Sequence, residues 1–471
     1  MKKLLLINPW IYDFSAYDLW SKPLGLLYLA SFLRRFDYEI YFVDCLDKYL
    51  ERQADQIKIK KYGVGPFPRR VVDKPEIVRH IPRHFARYGI SEETFIRRLI
   101  KYQDADAVLL TSLMTYWYPG VRRAAELVRE YLPGKPLILG GIYATLLPQH
   151  AREVVKPDYL ISGPGEIKTL QLLARLFGRE VDSDLLPKTI DDYPPPAFDL
   201  ISHPDYLPLL TSRGCPFDCS FCAQKKISMP YVRRNPELVV REIAEQQRKF
   251  KVRDFAIYDD ALFINKERHI EVILREVIKK RLKVRFHSPN GLFARYIDRK
   301  LACLMHQANF KTVRLSFETS NEQRGRDMYS KVNNADMVRA VQNLTGAGYA
   351  AKELEAYVMM GLPGQSVEEV IASILFVHNL GVQVRLASFS PIHGTREFDK
   401  AVLQGRIAED IDPLLTNKSI FPLRDETITY EKYRKIRTFS QILNEALKKD
   451  LPLFTDPLLG ETVRKVVGQI E

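Results

Sequence analysis

The chain has 471 residues, 46% of them hydrophobic, which is long enough for two or three domains that each have a core. No stretch approaches the roughly 18–20 apolar residues that span a bilayer, and five cysteines in a chain of this length do not form a disulfide framework. These features exclude a membrane-spanning protein and a disulfide-rich secreted one, and we expect a cytoplasmic protein.

Residues 1–190 alternate between apolar strand patterns and helical patterns. The strand patterns are KLLLIN, YEIYFVD, DAVLLTSLM, PLILGG and YLISG, and the helical patterns are PLGLLYLASFLRRF, YPGVRRAAELVREYL and GEIKTLQLLARLF. Such alternation predicts an α/β domain with an open, Rossmann-like parallel sheet and helices on both faces. The three consecutive prolines of DDYPPPAFDL cannot continue either kind of element, so we assign residues 191–204 to a linker.

Most of the formal net charge of +13 comes from one segment of this first domain. Residues 58–101 contain twelve Lys or Arg and four Asp or Glu, a local net charge of +8. A solvated basic loop is one explanation. Our prediction is an insertion that folds partly over the interdomain cleft and meets an anionic group, because guanidinium groups suit phosphates and carboxylates. The arginines concerned are Arg69, Arg70, Arg79, Arg83 and Arg87.

A second alternating series occupies residues 205–400. Its six strand patterns are LPLLTS, DFAIYDD, VRFHS, TVRLSFE, LEAYVMM and VRLASFS, and helical patterns separate them. Six β/α units predict a partial (β/α)6 barrel whose reactive groups gather at the carboxyl ends of the strands. Residues 401–471 are predicted to be mainly helical, with an amphipathic helix that begins near Glu426.

Three cysteines follow the first barrel strand in the stretch CPFDCSFC, namely Cys215, Cys219 and Cys222. A closed zinc site needs four ligands, yet Cys45 and Cys303 are far away in sequence and no histidine lies within ten residues of the three. An iron–sulfur cluster held by three thiolates would keep one iron open to a small molecule. The missing fourth ligand therefore indicates a functional cluster.

This motif resembles the signature of the radical S-adenosylmethionine (SAM) superfamily, C-x3-C-x-aromatic-C, with Phe221 in the aromatic position. The resemblance covers about residues 205–400. It implies a 4Fe-4S cluster whose open iron is chelated by the amino and carboxylate groups of SAM. It also implies reductive cleavage of SAM to a 5'-deoxyadenosyl radical, with electrons from an external low-potential donor.

The resemblance also implies SAM-binding residues at the ends of later barrel strands. Carboxylates after the second strand would accept hydrogen bonds from the SAM amino group, and polar residues of the fourth strand would meet its carboxylate or ribose. Glycines after the fifth strand would allow close approach to adenine or ribose. The residues are Asp259 and Asp260, then Arg314 and Glu318, then Gly361 with Gly364, and finally Gly394 and Thr395 after the sixth strand.

The first domain resembles the cobalamin-binding fold. The stretch LLTSLMT places Thr111 and Leu113 at the S/T-x-L element, and the strand end continues to Thr115. The stretch LGGIYAT supplies Gly140, Gly141 and Tyr143, and GPGE follows near the end of the domain. The resemblance implies a cobalamin bound between the two domains, near these residues, with its upper face toward the cluster.

One part of the cobalamin pattern is missing. The D-x-H-x-x-G motif, whose histidine ligates cobalt from below, has no match in the chain. Any cobalamin is therefore expected to be base-off and His-off, with Trp10, Tyr12 or Tyr17 crowding its lower face. A Rossmann-like domain that kept the fold without the cofactor is the alternative.

The leading hypothesis is a cobalamin-dependent radical SAM enzyme that transfers a methyl group to an unactivated carbon or phosphorus. The second is cobalamin-independent radical cyclisation, coupling or rearrangement. A tRNA-modifying enzyme would normally have three further clustered cysteines in its first domain, and a non-catalytic nucleic-acid-binding iron–sulfur protein would not cleave SAM. We expect a monomer that acts on a small molecule, lipid or peptide, and no nucleic-acid partner.

Overall fold

The computed structural model describes residues 1–51, 57–329, 331–425 and 428–451. The amino-terminal part contains eight strands and six α-helices within these ranges. They are β1 (Lys2–Asn8), β2 (Ile11–Asp13), α1 (Leu24–Arg34), β3 (Tyr38–Asp44), β4 (Arg69–Val72), β5 (Phe85–Tyr88), α2 (Glu92–Lys101), β6 (Ala107–Leu110), α3 (Tyr118–Tyr131), β7 (Leu137–Leu139), α4 (Ile142–Leu146), α5 (Pro148–Val155), β8 (Tyr159–Leu160) and α6 (Glu166–Phe177).

Five of these strands form one parallel sheet in the order β3-β1-β6-β7-β8. The predicted strands and helices of the first domain are confirmed, although β6 ends at Leu110, before the polar residues of LLTSLMT. Apolar residues of β1, β6 and β7 alternate between two cores, one on each face of the sheet. Helices cover both faces because a parallel sheet has no polar side to show to water.

The basic segment adds a second, smaller sheet that the sequence did not predict. Strands β2, β5 and β4 pair in that order and are antiparallel. The five arginines do not line the interdomain cavity described below. Arg87 is buried and paired with Glu92, and Arg83 donates to Ser419 O. None of the five arginines therefore forms part of the wall of this cavity, and their contact with an anionic group stays a prediction.

The second series begins at residue 207. It contains β9 (Leu207–Leu209), β10 (Ser212–Arg213), α7 (Gln224–Ile227), β11 (Val232–Arg233), α8 (Pro236–Phe250), β12 (Asp254–Ile257), α9 (Ile270–Lys279), β13 (Arg285–His287), β14 (Leu292–Phe293), α10 (Arg299–Gln307), β15 (Phe310–Thr312), β16 (Arg314–Glu318), α11 (Glu322–Asp327), α12 (Asn334–Gly346), β17 (Glu355–Met360), α13 (Val367–Asn379), β18 (Gln383–Ser388), α14 (Arg396–Leu403) and α15 (Tyr430–Lys448).

All six predicted barrel strands are present, and the sheet is divided in two. One parallel sheet has the order β15-β13-β12-β9 and the other β14-β16-β17-β18. The short strands β14 and β15 were not predicted. The bend at Val313 between β15 and β16 passes the chain from one sheet to the other. The barrel is therefore partial, with β9 and β18 at its open edges.

Helix α15 protects the open edge at β18. The Asn444 side chain accepts from the Val384 backbone N–H at 2.8 Å and donates to the Val384 carbonyl at 2.8 Å. An unpaired edge strand exposes such backbone groups to other chains, and covering it with a helix removes that hazard. The predicted carboxyl-terminal helix is confirmed over residues 430–448, and its expected continuation to 471 lies outside the described residues.

Helix α1 joins the two halves of the molecule. Leu24, Leu27 and Tyr28 pack into the barrel core, whereas Leu26 and Leu33 pack against the first sheet. A helix that is apolar nearly all round is buried on both sides. Within the described ranges, no helix is both long and apolar enough to cross a membrane.

Candidate functional site

A cavity of about 310 Å³ lies where the carboxyl ends of the two sheets meet. The first domain contributes Thr111, Gly140 and Gly163, which follow β6, β7 and β8. The barrel contributes residues that follow β9 and β12, among them Gly214 and Asp260. Ligands of open parallel sheets bind outside the carboxyl ends of the strands, and so does the chemistry of β/α barrels. Both halves of the molecule therefore direct their reactive ends into one space.

The two adjacent glycines after β7 have different tasks. A Cβ atom on Gly141 would lie 2.2 Å from Ser112 O, and the φ of Gly141 is +96°. Ser112 Oγ also donates to Gly140 O at 2.6 Å. Gly141 is therefore needed for the close packing of two loops. A Cβ atom on Gly140 would make only ordinary contacts with Ile161, at 3.8 and 4.0 Å, and Gly140 lines the cavity.

Three residues expected to bind cobalamin do not reach this cavity. Tyr143 is fully buried, and its hydroxyl forms a 2.7 Å hydrogen bond with His150 Nδ1. Thr115 is buried at the start of a 3-10 turn, and Leu113 is half-buried beside it. The roles of Leu113 and Thr115 must be corrected because the loop after β6 turns away from the cavity beyond Thr111. The role of Tyr143 must be corrected because its hydroxyl is directed to His150.

The aromatic residues expected beneath the corrin also lie elsewhere. Trp10 is in the core of the first domain, where its indole N–H donates to Ile90 O at 2.7 Å and its ring contacts Phe95. Tyr17 is on the surface near Lys60. Neither of them lines the cavity, and Tyr12 does not line it either.

The cysteine loop is held by the amino-terminal turn of α14, in the segment SPIHGTREF. Ser220 Oγ donates to Glu397 Oε1 at 2.7 Å, and the Glu397 backbone N–H donates to Ser220 O. Arg396 forms a 3.0 Å ion pair with Asp218. The sequence singled out Gly394 and Thr395 in this segment. Thr395 is the N-cap of α14, and the anchoring residues are the two that follow.

The three cysteines of this loop are free thiols with different exposure. Cys219 is buried, Cys215 is half-buried and Cys222 is exposed. Burial raises the pKa of Cys219 to about 12, Lys331 opposes the shift, and Glu318 reinforces it together with the other two thiols. These groups are thus within electrostatic reach of one another. Among the described residues, however, no three Cys, His, Asp or Glu side chains are grouped as a metal site.

The aromatic residue of the cysteine motif packs against the far side of the barrel mouth. Phe221 contacts an apolar cluster that includes Met359 and Leu362 at the end of β17 and Phe389 after β18. The half-buried ring thereby connects the cysteine loop to strands on the opposite side of the barrel.

The two aspartates after β12 face in different directions. Asp259 is buried and accepts from the Thr211 backbone N–H at 2.8 Å, from the Thr211 hydroxyl at 2.7 Å and from the Ser212 hydroxyl. Asp260 lines the cavity and accepts from Gln224 Nε2. Burial, reinforced by Asp259, raises the pKa of Asp260 to about 7. Of the expected pair, only Asp260 is placed to meet a ligand.

The polar residues of the fourth barrel strand are separated by its length. Glu318 ends β16, close enough to Cys219 to affect its thiol. Arg314 begins β16, is 2% exposed and forms a 2.7 Å ion pair with Glu355. Its guanidinium also lies 5.2 Å from the Trp20 ring. Arg314 therefore belongs to a buried charged cluster at the amino end of the barrel, and its expected contact with SAM is wrong.

Gly361 approaches a side chain of the protein. A Cβ atom there would lie 2.4 Å from the Phe421 ring, and the φ of Gly361 is +89°. Phe421 belongs to the segment after α14, which also contacts the first domain through Asn417 and Asp13 at 3.0 Å. The expected close approach to adenine or ribose is thus made to Phe421.

The sequence analysis did not single out Gln224, Arg396 or Glu397. A polar residue two positions after the last cysteine was the available signal for Gln224. No local pattern marked Arg396 and Glu397, because they reach the cysteine loop from about 180 residues further along the chain.

Comparison with known proteins agrees with this geometry. The sequence model of the Radical SAM superfamily matches residues 209–377, and that of the B12 binding domain matches residues 78–173. The chain is 24% identical to an uncharacterised methyltransferase of Pyrococcus horikoshii, over 70% of this chain and 79% of the relative. It is 22% identical to the cytidylyl-2-hydroxyethylphosphonate methyltransferase of Streptomyces wedmorensis, over 86% of this chain and 82% of the relative.

Solved structures share the arrangement of the two domains. The radical SAM methyltransferase TsrM of Kitasatospora setae, bound to cobalamin and a 4Fe-4S cluster, superposes with a TM-score of 0.61 at 16% identity, over 86% of this chain and 75% of that one. The cobalamin-dependent radical SAM enzyme OxsB superposes with a TM-score of 0.65 at 13% identity, over 100% of this chain and 75% of that one. The chain therefore contains a radical SAM domain over residues 209–377, preceded by a domain of the B12-binding type over residues 78–173.

Proposed function

We propose that the protein is a cobalamin-dependent radical SAM methyltransferase that transfers a methyl group to an unactivated carbon or phosphorus. The observation that carries this proposal is the shared cavity. Its walls come from the carboxyl ends of the B12-binding-type sheet and from the barrel segments on either side of the cysteine loop. A cofactor of each domain would thus reach the same substrate.

The cysteine loop fits a 4Fe-4S cluster by the chemistry of its donors. Cys215, Cys219 and Cys222 offer three soft sulfur ligands on one loop, and no pair of them is joined in a disulfide. Cys45 is sealed in the first-domain core and Cys303 is on helix α10. We assign the three loop cysteines as the ligands, with the side chains turning together when the cluster is loaded.

Two side chains of the barrel fit SAM. Asp260 lines the cavity after β12 and, when ionised, accepts hydrogen bonds from an ammonium group. Glu318 at the end of β16 lies near the cysteines and can hydrogen-bond a ribose hydroxyl. Phe221 offers an apolar ring at the same end of the barrel.

The cavity fits the nucleotide tail of a cobalamin. Leu26, Leu109, Ile138 and Ile161 give it apolar walls, and Gly140 leaves the backbone free for close approach. None of the described residues that line it is a histidine, which is consistent with a base-off, His-off cobalamin.

When bound, these groups supply a low-potential electron carrier, a radical source and a methyl carrier. The protein holds the iron through thiolates, orients SAM through Asp260 and keeps water from the reacting atoms with the apolar walls of the cleft. Radical chemistry needs an enclosed site because the weak S–H and C–H bonds of loose side chains would donate a hydrogen atom to the radical.

The test is anaerobic reconstitution of the full chain with iron, sulfide and hydroxocobalamin. Cys215→Ala, Cys219→Ala and Cys222→Ala are each expected to lose the cluster and the formation of 5'-deoxyadenosine, because a three-ligand site has no spare ligand. Cys303→Ser is the matched control and should keep both. Bound zinc without iron, or unchanged activity in the alanine variants, would contradict the assignment.

Cobalamin is tested by spectroscopy of the same samples after gel filtration. We expect retained cobalamin whose cob(II) electron paramagnetic resonance spectrum has no nitrogen splitting from a histidine. A histidine splitting would overturn the His-off assignment. SAM cleavage without retained cobalamin would favour radical cyclisation or rearrangement over methyl transfer.

A further inference from the structure

Residues 57–72 form a surface with charge of a single sign. The segment IKIKKYGVGPFPRRVV contains five Lys or Arg and no Asp or Glu. The five basic side chains are all exposed, namely Lys58, Lys60, Lys61, Arg69 and Arg70. Within the described ranges none of the five forms an ion pair, whereas Arg79, further along the chain, is paired with Glu76. Their charge is therefore available to a partner.

Large apolar side chains are exposed between these charges. Ile59 is 44% exposed and Val71 is 56% exposed. Tyr17 is 38% exposed, and its ring centroid lies 5.8 Å from Lys60 Nζ. We call Lys58, Ile59, Lys60, Lys61, Arg69 and Val71 the basic face. Exposed apolar groups that are rimmed by charged side chains mark interaction sites.

Backbone pairing holds the basic face in place. Asp18 and Gly65 exchange two backbone hydrogen bonds of 2.9 and 3.0 Å, and the Lys60 N–H donates to Val64 O at 2.8 Å. Strand β4 is one of the two outer strands of the three-stranded sheet. Arg69 and Val71 lie on the same side of β4, because alternate residues of a strand share a face.

The basic face lies at the end of the barrel remote from the cysteine loop. Tyr62, next to Lys61, contacts the His287 ring at 4.5 Å between centroids, and its carbonyl accepts from the Trp20 indole N–H. His287 pairs with Asp254, the first residue of β12, and Gly63 approaches Asp205, which lies just before β9, so these contacts lie toward the amino ends of the barrel strands. A partner on the basic face would therefore leave the catalytic cleft open.

We propose that the basic face docks the enzyme on an anionic lipid surface. Lysine and arginine side chains attract anionic headgroups, and short aliphatic side chains enter the boundary between headgroups and acyl chains. Nucleic acid would match the charge but would leave Ile59 and Val71 exposed to water or phosphate. The docking is peripheral, in agreement with the absence of a spanning helix among the described residues.

The test is vesicle flotation of the full chain, which does not depend on methyl transfer. Vesicles of phosphatidylcholine are compared with vesicles containing about one third phosphatidylglycerol, at about 0.05 M salt. We expect binding to the anionic vesicles to be stronger by about tenfold or more, and to fall by a similar factor at about 0.5 M salt, where the charges are screened.

Variants separate the contribution of the positive charges to vesicle binding from that of the apolar side chains. Lys58→Glu/Lys60→Glu/Lys61→Glu is expected to lose about tenfold or more in binding to anionic vesicles. The matched control Lys280→Glu/Arg281→Glu/Lys283→Glu reverses three exposed charges elsewhere and should bind as the wild type does. Ile59→Gln/Val71→Gln should bind anionic vesicles about threefold to tenfold more weakly, because less apolar surface is buried in the lipid. The salt dependence of its binding should stay as in the wild type, because no charge is changed.

Three results would overturn the proposal. They are equal binding to both kinds of vesicle, equal loss in the Lys58 triple variant and its control, and tighter binding to a DNA oligonucleotide than to anionic vesicles at the same salt. Far-ultraviolet circular dichroism checks that each variant is folded, which we expect because every substituted side chain is exposed or partly exposed.

Discussion

At the scale of single residues, Asp259 and Asp260 have separate tasks although they are adjacent in the chain. Asp259 ties the end of β12 to the end of β9 through Thr211 and Ser212. Asp260 faces the cavity instead. Successive side chains of an extended chain point to opposite faces, so one carboxylate stabilises the fold and its neighbour is available to a ligand.

Replacing Asp260 by Asn should weaken SAM binding with little change in stability. A hydrogen bond to a charged group contributes about 1.5–3 kcal/mol, which is a loss of about tenfold or more in affinity. Asp259→Asn should instead lower the free energy of unfolding by about 1–3 kcal/mol, because buried donors lose their acceptor. Equilibrium dialysis and urea denaturation measure the two effects. Equal SAM affinity in both variants would refute the assignment.

The burial of His269 leads us to expect that the protein loses stability as the pH falls. His269 is buried and hydrogen-bonded to Thr211 Oγ1 at 2.9 Å, and burial, with Arg233 and Arg234 nearby, lowers the pKa of its imidazole to about 4. The unfolded imidazole has a pKa of about 6.5. Between these values only the unfolded chain binds the proton, so stability falls as the pH falls through this window.

In His269→Gln, the decrease in unfolding free energy between about pH 7 and about pH 5 should be smaller by about 2 kcal/mol. The amide can keep the hydrogen bond to Thr211 but does not titrate. Urea denaturation at both pH values measures this difference. An unchanged pH dependence would show that His269 does not contribute to it.

At the scale of elements, a short helix positions the loop that carries the chemistry. Helix α14 follows the last barrel strand, and its first residues, Arg396 and Glu397, hold Asp218 and Ser220 of the cysteine loop. A loop between a strand and a four-residue helix has little regular structure of its own. Its shape therefore depends on this contact across the barrel mouth.

Glu397→Ala should reduce iron retained after reconstitution by severalfold, although Glu397 is not expected to bind iron. The substitution leaves the buried Ser220 hydroxyl without its acceptor, which costs about 1–3 kcal/mol of local order. Asp399→Ala, an exposed change on the same helix, is the control and should retain iron normally. Iron counting and the cluster absorbance measure both. Wild-type iron content in Glu397→Ala would mean that the loop is ordered without α14.

At the scale of the whole molecule, the cleft exists because the two halves share structure. Helix α1 belongs to both cores, and the segment after α14 contacts both the first domain at Asp13 and the barrel at Gly361. These connections set the distance between the two carboxyl faces. Cofactors of separate domains can act on one substrate only if that distance is maintained.

Substitutions of the adjacent glycines Gly140 and Gly141 test whether the cleft holds cobalamin. Gly140→Leu should fill the cavity and reduce retained cobalamin by about tenfold or more at nearly unchanged stability, because a Cβ there makes only ordinary contacts with Ile161 and the side chain extends into the cavity. Gly141→Ala should lower the free energy of unfolding by about 2 kcal/mol or more, since its Cβ would meet Ser112 O at a positive φ. Cobalamin absorbance and thermal unfolding distinguish the two. Full cobalamin retention in Gly140→Leu would place the cofactor elsewhere.

The sequence by itself determined the alternation of strands and helices, the succession of an open-sheet domain and a partial barrel, and the loop with three cysteines. Each of these follows from a local pattern, either the period of apolar residues or the spacing of thiols. The two short strands β14 and β15 and the small antiparallel sheet were missed because their runs are too short or too polar to show a period.

Only the tertiary structure decided which of the candidate residues meet. In the folded chain Asp260 lines the cavity, whereas Asp259 accepts a hydrogen bond from Thr211. Phe421 packs against Gly361. Arg314 lies at the amino end of its strand, away from the cysteine loop, and pairs with Glu355. The tertiary structure also kept the five arginines of the basic segment out of the cavity wall. Side-chain direction at a strand end and contacts between distant segments arise from packing of the whole chain, and a local pattern contains no record of that packing.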